Sequence, residues 1–314
     1  MSESKRLTQL ITKTAEGKCF NKKYFIIKEN ITVNSVSIII PVKDNLNGLL
    51  KLIDSIEENL ANKEEINEII IVDNNSKIPL IKENKFQKML NKNKYKIIYC
   101  EECGAAAARN AGVRIAQGNW LLFIDSDCLV TASTIEGYKE AMNGSIGYAG
   151  NVKALGNSFL DEYYDCQKTL LPPPIENRPA YLVTANTLIY KPAFNHIGGF
   201  DTIFTKAGGE DIDLALRLSS VGSLSYAINS TVYHDFFDDL RDFLKRFHRY
   251  GIGNYLIEQK YHISMIPLPF LPEKKNILHF TLAIMQFLAM LSGYLLACYT
   301  KNIPILLKNK KQWS

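Results

Sequence analysis

Two carboxylates one residue apart, Asp125 and Asp127, end the run Asn119-Trp-Leu-Leu-Phe-Ile-Asp-Ser-Asp127. Flanking Ser126, they supply hard oxygen ligands of the kind that hold Mg²⁺ or Mn²⁺ together with a diphosphate. The competing reading is a solvated turn in which one of them caps the next helix. A second acidic centre, Glu210 and Asp211, follows Gly208-Gly209 and opens a run in which Ile212 and Leu216, like Leu214 and Leu218, stand four apart as on a helix. A carboxylate there can take the proton of an attacking hydroxyl. Acids in the first turn of a helix also serve simply as partners of its dipole. His234, in Tyr233-His-Asp235, reads as a third metal ligand or phosphate contact, or as a satisfied structural histidine. Arg109 sits in the small-residue stretch Gly104-Ala-Ala-Ala-Ala-Arg-Asn-Ala-Gly112, where it meets either a ligand or a surface ion-pair partner.

These residues need elements to aim them. Leu121 to Ile124 suits a strand buried on both faces, so Asp125 and Asp127 fall at its carboxyl end, where an open α/β sheet keeps its ligand crevice. Ser35 to Val42 is a buried strand, Leu49, Leu52, Ile53, Ile56 and Leu60 mark a helix, and Glu68 to Val72 is the next strand. Strand, helix and strand within about forty residues make a parallel crossover, which puts Pro41 to Asp44 and Asp73 to Ser76 on one side of the sheet. Lys96 to Cys100 gives a third strand, and Gly104 to Gln117 a helix able to pack closely. Beyond a helix at Ala132 to Ala141, strands are expected at Tyr148 to Ala154, Tyr181 to Tyr190 and Ser223 to Val232. A helix at Phe159 to Gln167 and a Pro172-Pro173-Pro174 loop separate the first two.

A chain of 314 residues with 46% hydrophobic composition and a formal charge of +5 is globular, with room for one large domain and an appendage. The acids cluster at strand ends and the bases near both termini, which favours an anionic small ligand or a membrane surface over nucleic acid. Six cysteines form no dense framework, no apolar leader precedes Ser35, and a reducing cytoplasmic location is the expectation. Cys100 and Cys103 have CxxC spacing without a second pair.

Arg241, Lys245, Arg246, His248 and Arg249 share an amphipathic stretch with Phe243, Leu244 and Phe247; they face a diphosphate, anionic headgroups or water. Ile277 to Cys298 is apolar enough and long enough to span a bilayer. Lys274 and Lys275 precede it and Lys301, Lys308, Lys310 and Lys311 follow, so a single crossing has no clear orientation. A helix lying in the membrane plane and a core or oligomer helix are the other readings.

The ordered set Ser-Ile-Ile-Ile-Pro-Val-Lys-Asp-Asn45, Ile-Ile-Ile-Val-Asp-Asn-Asn-Ser76, the Gly104–Gly112 stretch, Asp-Ser-Asp127 and Gly-Gly-Glu-Asp-Ile-Asp-Leu-Ala-Leu-Arg-Leu218 resembles the family 2 glycosyltransferases of the GT-A fold. The final block is also similar to β-1,4-galactosyltransferase-type enzymes. The resemblance implies an α/β fold with a mostly parallel central sheet flanked by helices, followed here by the carboxyl-terminal apolar helix. It divides the chain into an extension at 1–34, a GT-A domain at 35–250, and a helical membrane-associating or oligomerising segment at 251–314. It implies inverting transfer of a sugar from a nucleotide donor, commonly a UDP-sugar, with Mn²⁺ or Mg²⁺. By the same resemblance Pro41, Lys43, Asp44 and Asp73 hold the nucleoside, and Arg109 lies near the nucleotide. Asp127 binds the metal directly and Asp125 the ribose or the metal, His234 joins the metal, and Asp211 is the general base, with Glu210 supporting it or binding the acceptor. Two departures stand out: Asn74 occupies a position where an acid is usual, and Lys43 replaces a frequent tyrosine. The expected acceptor is a glycan or lipid-linked molecule at the cytoplasmic face of the cell membrane, in cell-surface glycan synthesis. The alternatives are a non-catalytic nucleotide-sugar binding or scaffold protein and a sugar-phosphate nucleotidyltransferase.

Overall fold

The computed structural model describes residues 32–60, 62–82, 93–236 and 239–310, with Arg6, Phe25 and Phe86 as isolated positions and side chains described as far as Thr300. Tyr24 to Ile27 reads as a strand from the sequence, and of it only Phe25 is among the described residues. The chain forms two compact units, Met1–Thr205 with Glu210–Phe236, and Lys206–Gly209 with Phe237–Ser314.

The first unit is built on an eight-stranded sheet. Strand β1 (Val36–Val42) leads into helix α1 (Leu46–Asn59), whose buried residues Leu49, Leu52, Ile53 and Ile56 follow one face. Strand β2 (Ile66–Asp73) and strand β3 (Tyr95–Tyr99) follow, then helix α2 (Ala105–Ile115) and strand β4 (Trp120–Ile124), every residue of which is buried. Strand β5 (Cys128–Val130), helix α3 (Ser133–Ala141), strand β6 (Gly147–Ala154) and helix α4 (Phe159–Cys166) come next. A short hairpin, β7 (Pro174–Ile175) and β8 (Arg178–Pro179), precedes strand β9 (Asn186–Tyr190) and helix α5 (Lys191–His196). Helix α6 (Glu210–Ser219) and strand β10 (Leu224–His234) complete the unit.

The strand order is β3-β2-β1-β4-β9-β6-β10-β5. The first four strands run parallel, so the carboxyl ends of β1, β2, β3 and β4 open on one edge. Strand β9 is antiparallel to β4 and β6, β10 is parallel to β6, and β5 closes the edge antiparallel to β10. At the opposite ends of the strands the buried Glu68 accepts hydrogen bonds from Ser37 Oγ (2.6 Å), Lys96 Nζ (2.5 Å) and the Gln117 amide (2.5 Å). Burial alone pushes that carboxyl up, and these donors together hold it below the usual range.

The strand expected from Tyr181 begins only at Asn186. The Asn186 amide and the Thr187 hydroxyl both donate to Val183 O, at 3.1 and 2.7 Å, and this turn occupies the segment that would otherwise extend the ladder. The Pro172–Pro174 loop runs into the β7–β8 hairpin, and α5, with Pro192 in its first turn, was not anticipated.

The second unit pairs helix α7 (Leu240–Tyr261), capped by the Asp239 side chain, with the 34-residue helix α8 (Ile277–Lys310). The two backbones meet at glycines. A methyl on Gly251 would stand 1.9 Å from Met290 O, and one on Gly293 would stand 1.9 Å from His248 O. Beside this crossing Tyr294 Oη donates to Glu258 Oε2 (2.7 Å), and His248 Nδ1 lies 2.9 Å from Ser292 Oγ.

Candidate active site

Strand β4 delivers Asp125 and Asp127 to the open edge. The Cys128 amide donates to Asp125 O (3.1 Å), closing a tight turn, and β5 then pairs with β10 in a register that sets His234 opposite Cys128. The Asp235 amide donates to Asp127 O (2.7 Å) and fixes that junction. His234 Nε2 consequently stands 3.4 Å from Asp127 Oδ1, with the imidazole almost wholly buried. Its ring tilts against Phe236 at 4.5 Å between centroids, and Phe236 stacks on Tyr164 at 4.0 Å. An aromatic column therefore sets the imidazole plane.

Donor atoms of Asp127, Cys128 and His234 lie within 4.8 Å of one another. The Cys128 sulfur donates to Ala185 O at 3.7 Å, and burial, reinforced by Asp127 and Asp125, pushes its thiol well above the ordinary value. With the Cys128 sulfur engaged with Ala185 O, Asp127 with His234 makes the oxygen–nitrogen pair. Two ligands at right angles on one Mg²⁺- or Mn²⁺-sized ion stand about 3 Å apart, which the Asp127–His234 spacing matches. His234 Nδ1 has no hydrogen-bond partner among the described residues. Asp125, expected as a further ligand, lies outside this cluster and faces Arg109 instead.

Arg109 is 97% buried rather than part of a surface pair. Its Nη2 is 2.7 Å from Asp125 Oδ1 and its Nη1 is 3.1 Å from Glu210 Oε1. Burial works against the guanidinium charge, but the two carboxylates outweigh it and raise the arginine above its usual range. Next along α2, Asn110 donates to Phe200 O (2.8 Å) and accepts from the Phe200 amide (2.9 Å), and the Arg109 guanidinium carbon sits 5.5 Å from the Phe200 ring centroid. The Arg-Asn pair thus fastens the Asp-Ser-Asp strand end to the segment that leads into α6.

Gly208 and Gly209 have φ of 132° and 93°, a backbone that residues with a Cβ avoid, and they turn the chain into α6 so that Glu210 and Asp211 begin it. Glu210 is buried on Arg109. Asp211 lies beside it, partly buried, with Oδ1 accepting from the Ile212 amide (2.9 Å). Burial first, then the Glu210 charge, pushes the Asp211 carboxyl up to about 7. Further along α6, Asp213 pairs with Arg217 one turn on at 2.6 Å.

At the ends of β1 and β2 the structure groups Pro41, Lys43, Asp44 and Asp73. Lys43 is exposed. Asp44 adopts φ 52°, its amide donates to Ser76 Oγ (3.0 Å) and its carboxylate accepts from the Lys77 amide (2.7 Å). Asp73 is buried and accepts from the Ser76 and Leu80 amides at 3.0 and 2.9 Å. Asn74 donates to Glu102 O (2.6 Å) and Cys100 O (3.4 Å) and accepts from the Gly104 amide (2.9 Å). An acid has no N–H to offer those carbonyls, which explains the asparagine.

The profile described as Glycosyl transferase family 2 matches residues 37–156, and that described as Glycosyl transferase family group 2 matches 175–308. This chain is a family 2 glycosyltransferase. The pre-mycofactocin glycosyltransferase of Mycobacterium tuberculosis is 27% identical over 235 residues, covering 69% of this chain and 46% of the relative. The chain thus spans about half the length of the curated relatives it matches. Among solved structures, a mannosyltransferase from Pyrobaculum calidifontis in complex with GDP-Man and Mn²⁺ aligns with TM-score 0.53 and 14% identity, over 98% of this chain and 88% of the other. GalNAc-T7 with UDP, GalNAc and Mn²⁺ aligns with TM-score 0.51 and 15% identity, over 76% and 55%. At that identity they establish the GT-A fold of this glycosyltransferase.

Several positioning residues of the site escape sequence reasoning. The Phe236–Tyr164 column and the approach of Cys128 depend on β5, three residues long and without a periodic pattern of its own. Asn110 was adjacent to a recognised residue, and its pairing with Phe200 across 90 positions has no local signal.

Proposed function

We propose that this glycosyltransferase moves a sugar from a nucleotide-diphosphate donor, commonly UDP-linked, to an acceptor hydroxyl with inversion at the anomeric carbon. The observation that carries this is the Arg109 bridge between Asp125 and Glu210, which sets the donor-side acids and the helix-opening acids one guanidinium apart.

Asp127 and His234 hold a divalent cation, Mn²⁺ or Mg²⁺, and Asp125, kept in place by Arg109, faces the same edge for contact with the donor ribose. Pro41, Lys43, Asp44 and Asp73 line the nucleoside end. When bound, the cation supplies positive charge to the leaving diphosphate. Asp211 accepts the acceptor hydroxyl proton as the oxygen attacks the anomeric carbon, and the bond from that carbon to the diphosphate oxygen breaks with its electron pair leaving on the phosphate. A carboxyl with its pKa near 7 suits this task, because it is basic enough to take the proton and still about half ionised at neutral pH. Glu210, anchored by Arg109, supports Asp211 or binds the acceptor. In this reading the acceptor is a glycan or lipid-linked molecule of the cell surface, met at the cytoplasmic face of the membrane.

Release of free nucleotide from a panel of sugar nucleotides, with and without Mn²⁺, tests the proposal. One donor should be turned over only with the metal. Tight donor binding with no turnover on any donor or acceptor would leave a binding protein instead.

A further inference from the structure

Helix α8 has two unlike faces. Leu282, Ala283, Ala289 and Tyr294 are buried, while Ile277 (87% exposed), Ile284 (59%), Leu288 (54%), Leu295 (55%) and Tyr299 (65%) stand in the open. The exposed positions follow one another by seven or four residues, so they form a single stripe along the helix. The span Ile277–Thr300 is long and apolar enough to cross a bilayer, yet only 28% of its most apolar window is buried, too little for a core helix. The segment before it adds Ile266, Leu268, Phe270 and Leu271, each exposed.

The buried face is committed to α7. At Gly251 and Gly293 the two backbones touch, and the Tyr294–Glu258 and His248–Ser292 bonds join the same faces. Helix α7 carries Arg241, Asp242, Lys245, Arg246, Arg249, Glu258 and Lys260. A crossing α8 would either drag this charged helix into hydrocarbon or break the glycine crossing. Charge points the same way. Residues 237–314 hold eleven lysines and arginines against five aspartates and glutamates, and Lys274, Lys275 and Lys301 bracket the stripe at both ends. A stripe lying flat on a membrane brings both sets of lysines to one headgroup layer, where anionic lipid attracts them.

We propose that the α7–α8 hairpin docks in the plane of an anionic lipid surface, with the Ile277–Ile284–Leu288–Leu295–Tyr299 stripe in the acyl boundary and both helix ends on the same side. This rests on the membrane-facing part of the functional reading and adds an arrangement to it.

The test uses the full chain with vesicles of phosphatidylcholine, with and without phosphatidylglycerol. Binding should need the anionic lipid and be reversed by alkaline carbonate. Trypsin added outside should cut bound protein at Lys274–Lys275 and also in the Lys301–Lys311 tail. Leu288→Asp and Ile284→Asp, at exposed positions that leave the fold and donor turnover unchanged, should each lower the bound fraction about tenfold. Protection of one lysine set, with resistance to carbonate, overturns the in-plane arrangement while keeping membrane association. Failure to bind either vesicle removes membrane association altogether and leaves sugar transfer in solution standing. A stable dimer in solution that Leu288→Asp converts to monomer assigns the stripe to a second copy and overturns the proposal.

Discussion

Arg109 and Glu210 are 101 positions apart in sequence, and their side chains meet in a buried ion pair of 3.1 Å. The second arm of the same guanidinium holds Asp125 at 2.7 Å. One guanidinium therefore pairs with an acid from each of the two centres that the proposed transfer uses, and neither carboxylate is free to move alone.

Removing that cation strands two acids. Arg109→Met should cost about 3–5 kcal/mol of folding stability, the usual penalty for breaking a buried pair from one side. Adding Glu210→Gln should recover part of it. Denaturant unfolding of the single and double variants measures the coupling, and equal stability of Arg109→Met and the wild type would refute the bridge.

As the proposed general base, Asp211 should set the pH profile. With its carboxyl at about 7, kcat should rise tenfold per pH unit below that point and level off above it. Stability runs the other way. The folded state holds this proton more tightly than an unfolded chain with the ordinary 3.8, so native protein binds more protons between those values and loses stability as pH rises through the window. At about pH 8, Asp211→Asn should therefore be more stable than wild type, with no gain at about pH 4. Thermal unfolding at the two pH values checks it.

The metal pair should be separable from its neighbours. His234→Ala should abolish high-affinity Mn²⁺ binding, followed by electron paramagnetic resonance. Phe236→Ala, which removes the ring against the imidazole, should weaken it about tenfold. Cys128→Ser should stay within about twofold, because the thiol is engaged with Ala185 O. Loss of binding in the serine variant would make Cys128 a ligand.

Asn74→Asp restores the residue type usual at that position, and here it should be harmful. Two carbonyl oxygens lose their donor and face a carboxylate, at a cost of about 1–3 kcal/mol. Donor-base preference, read from competition between UDP and GDP, should not change.

The glycine crossing leaves no room for a side chain. Gly251→Val and Gly293→Val should each lower stability by about 1–3 kcal/mol and expose the helix pair to proteolysis. An unchanged unfolding midpoint would show that the helices do not meet there.

What the sequence shows plainly is local. The all-apolar β4 with its two following acids, the small-residue α2, and the double glycine before Glu210 are each encoded within about ten residues, so composition and spacing reveal them. The same holds for β1, α1 and β2, where the crossover rule gives the parallel order without further information. What stays hidden is pairing over distance. Strand β5 has three residues and no pattern, yet its register against β10 brings His234 to Asp127. Arg109 reads equally well as a surface residue until α6 is folded against α2. The late start of β9 follows from two bonds to Val183 O that no propensity scale contains. Asn74, at a position where an acid is usual, is a backbone latch.

In the proposed reaction Asp211 takes the acceptor proton while the acids of the Asp125–Asp127 strand end serve the donor. Steady-state transfer and equilibrium donor binding, compared in wild type and Asp211→Asn with Mn²⁺ present, test it most directly. A fall in kcat of roughly 10²–10⁴-fold with donor Kd unchanged is the predicted result. A parallel loss of donor affinity, or transfer that survives the substitution, would contradict it.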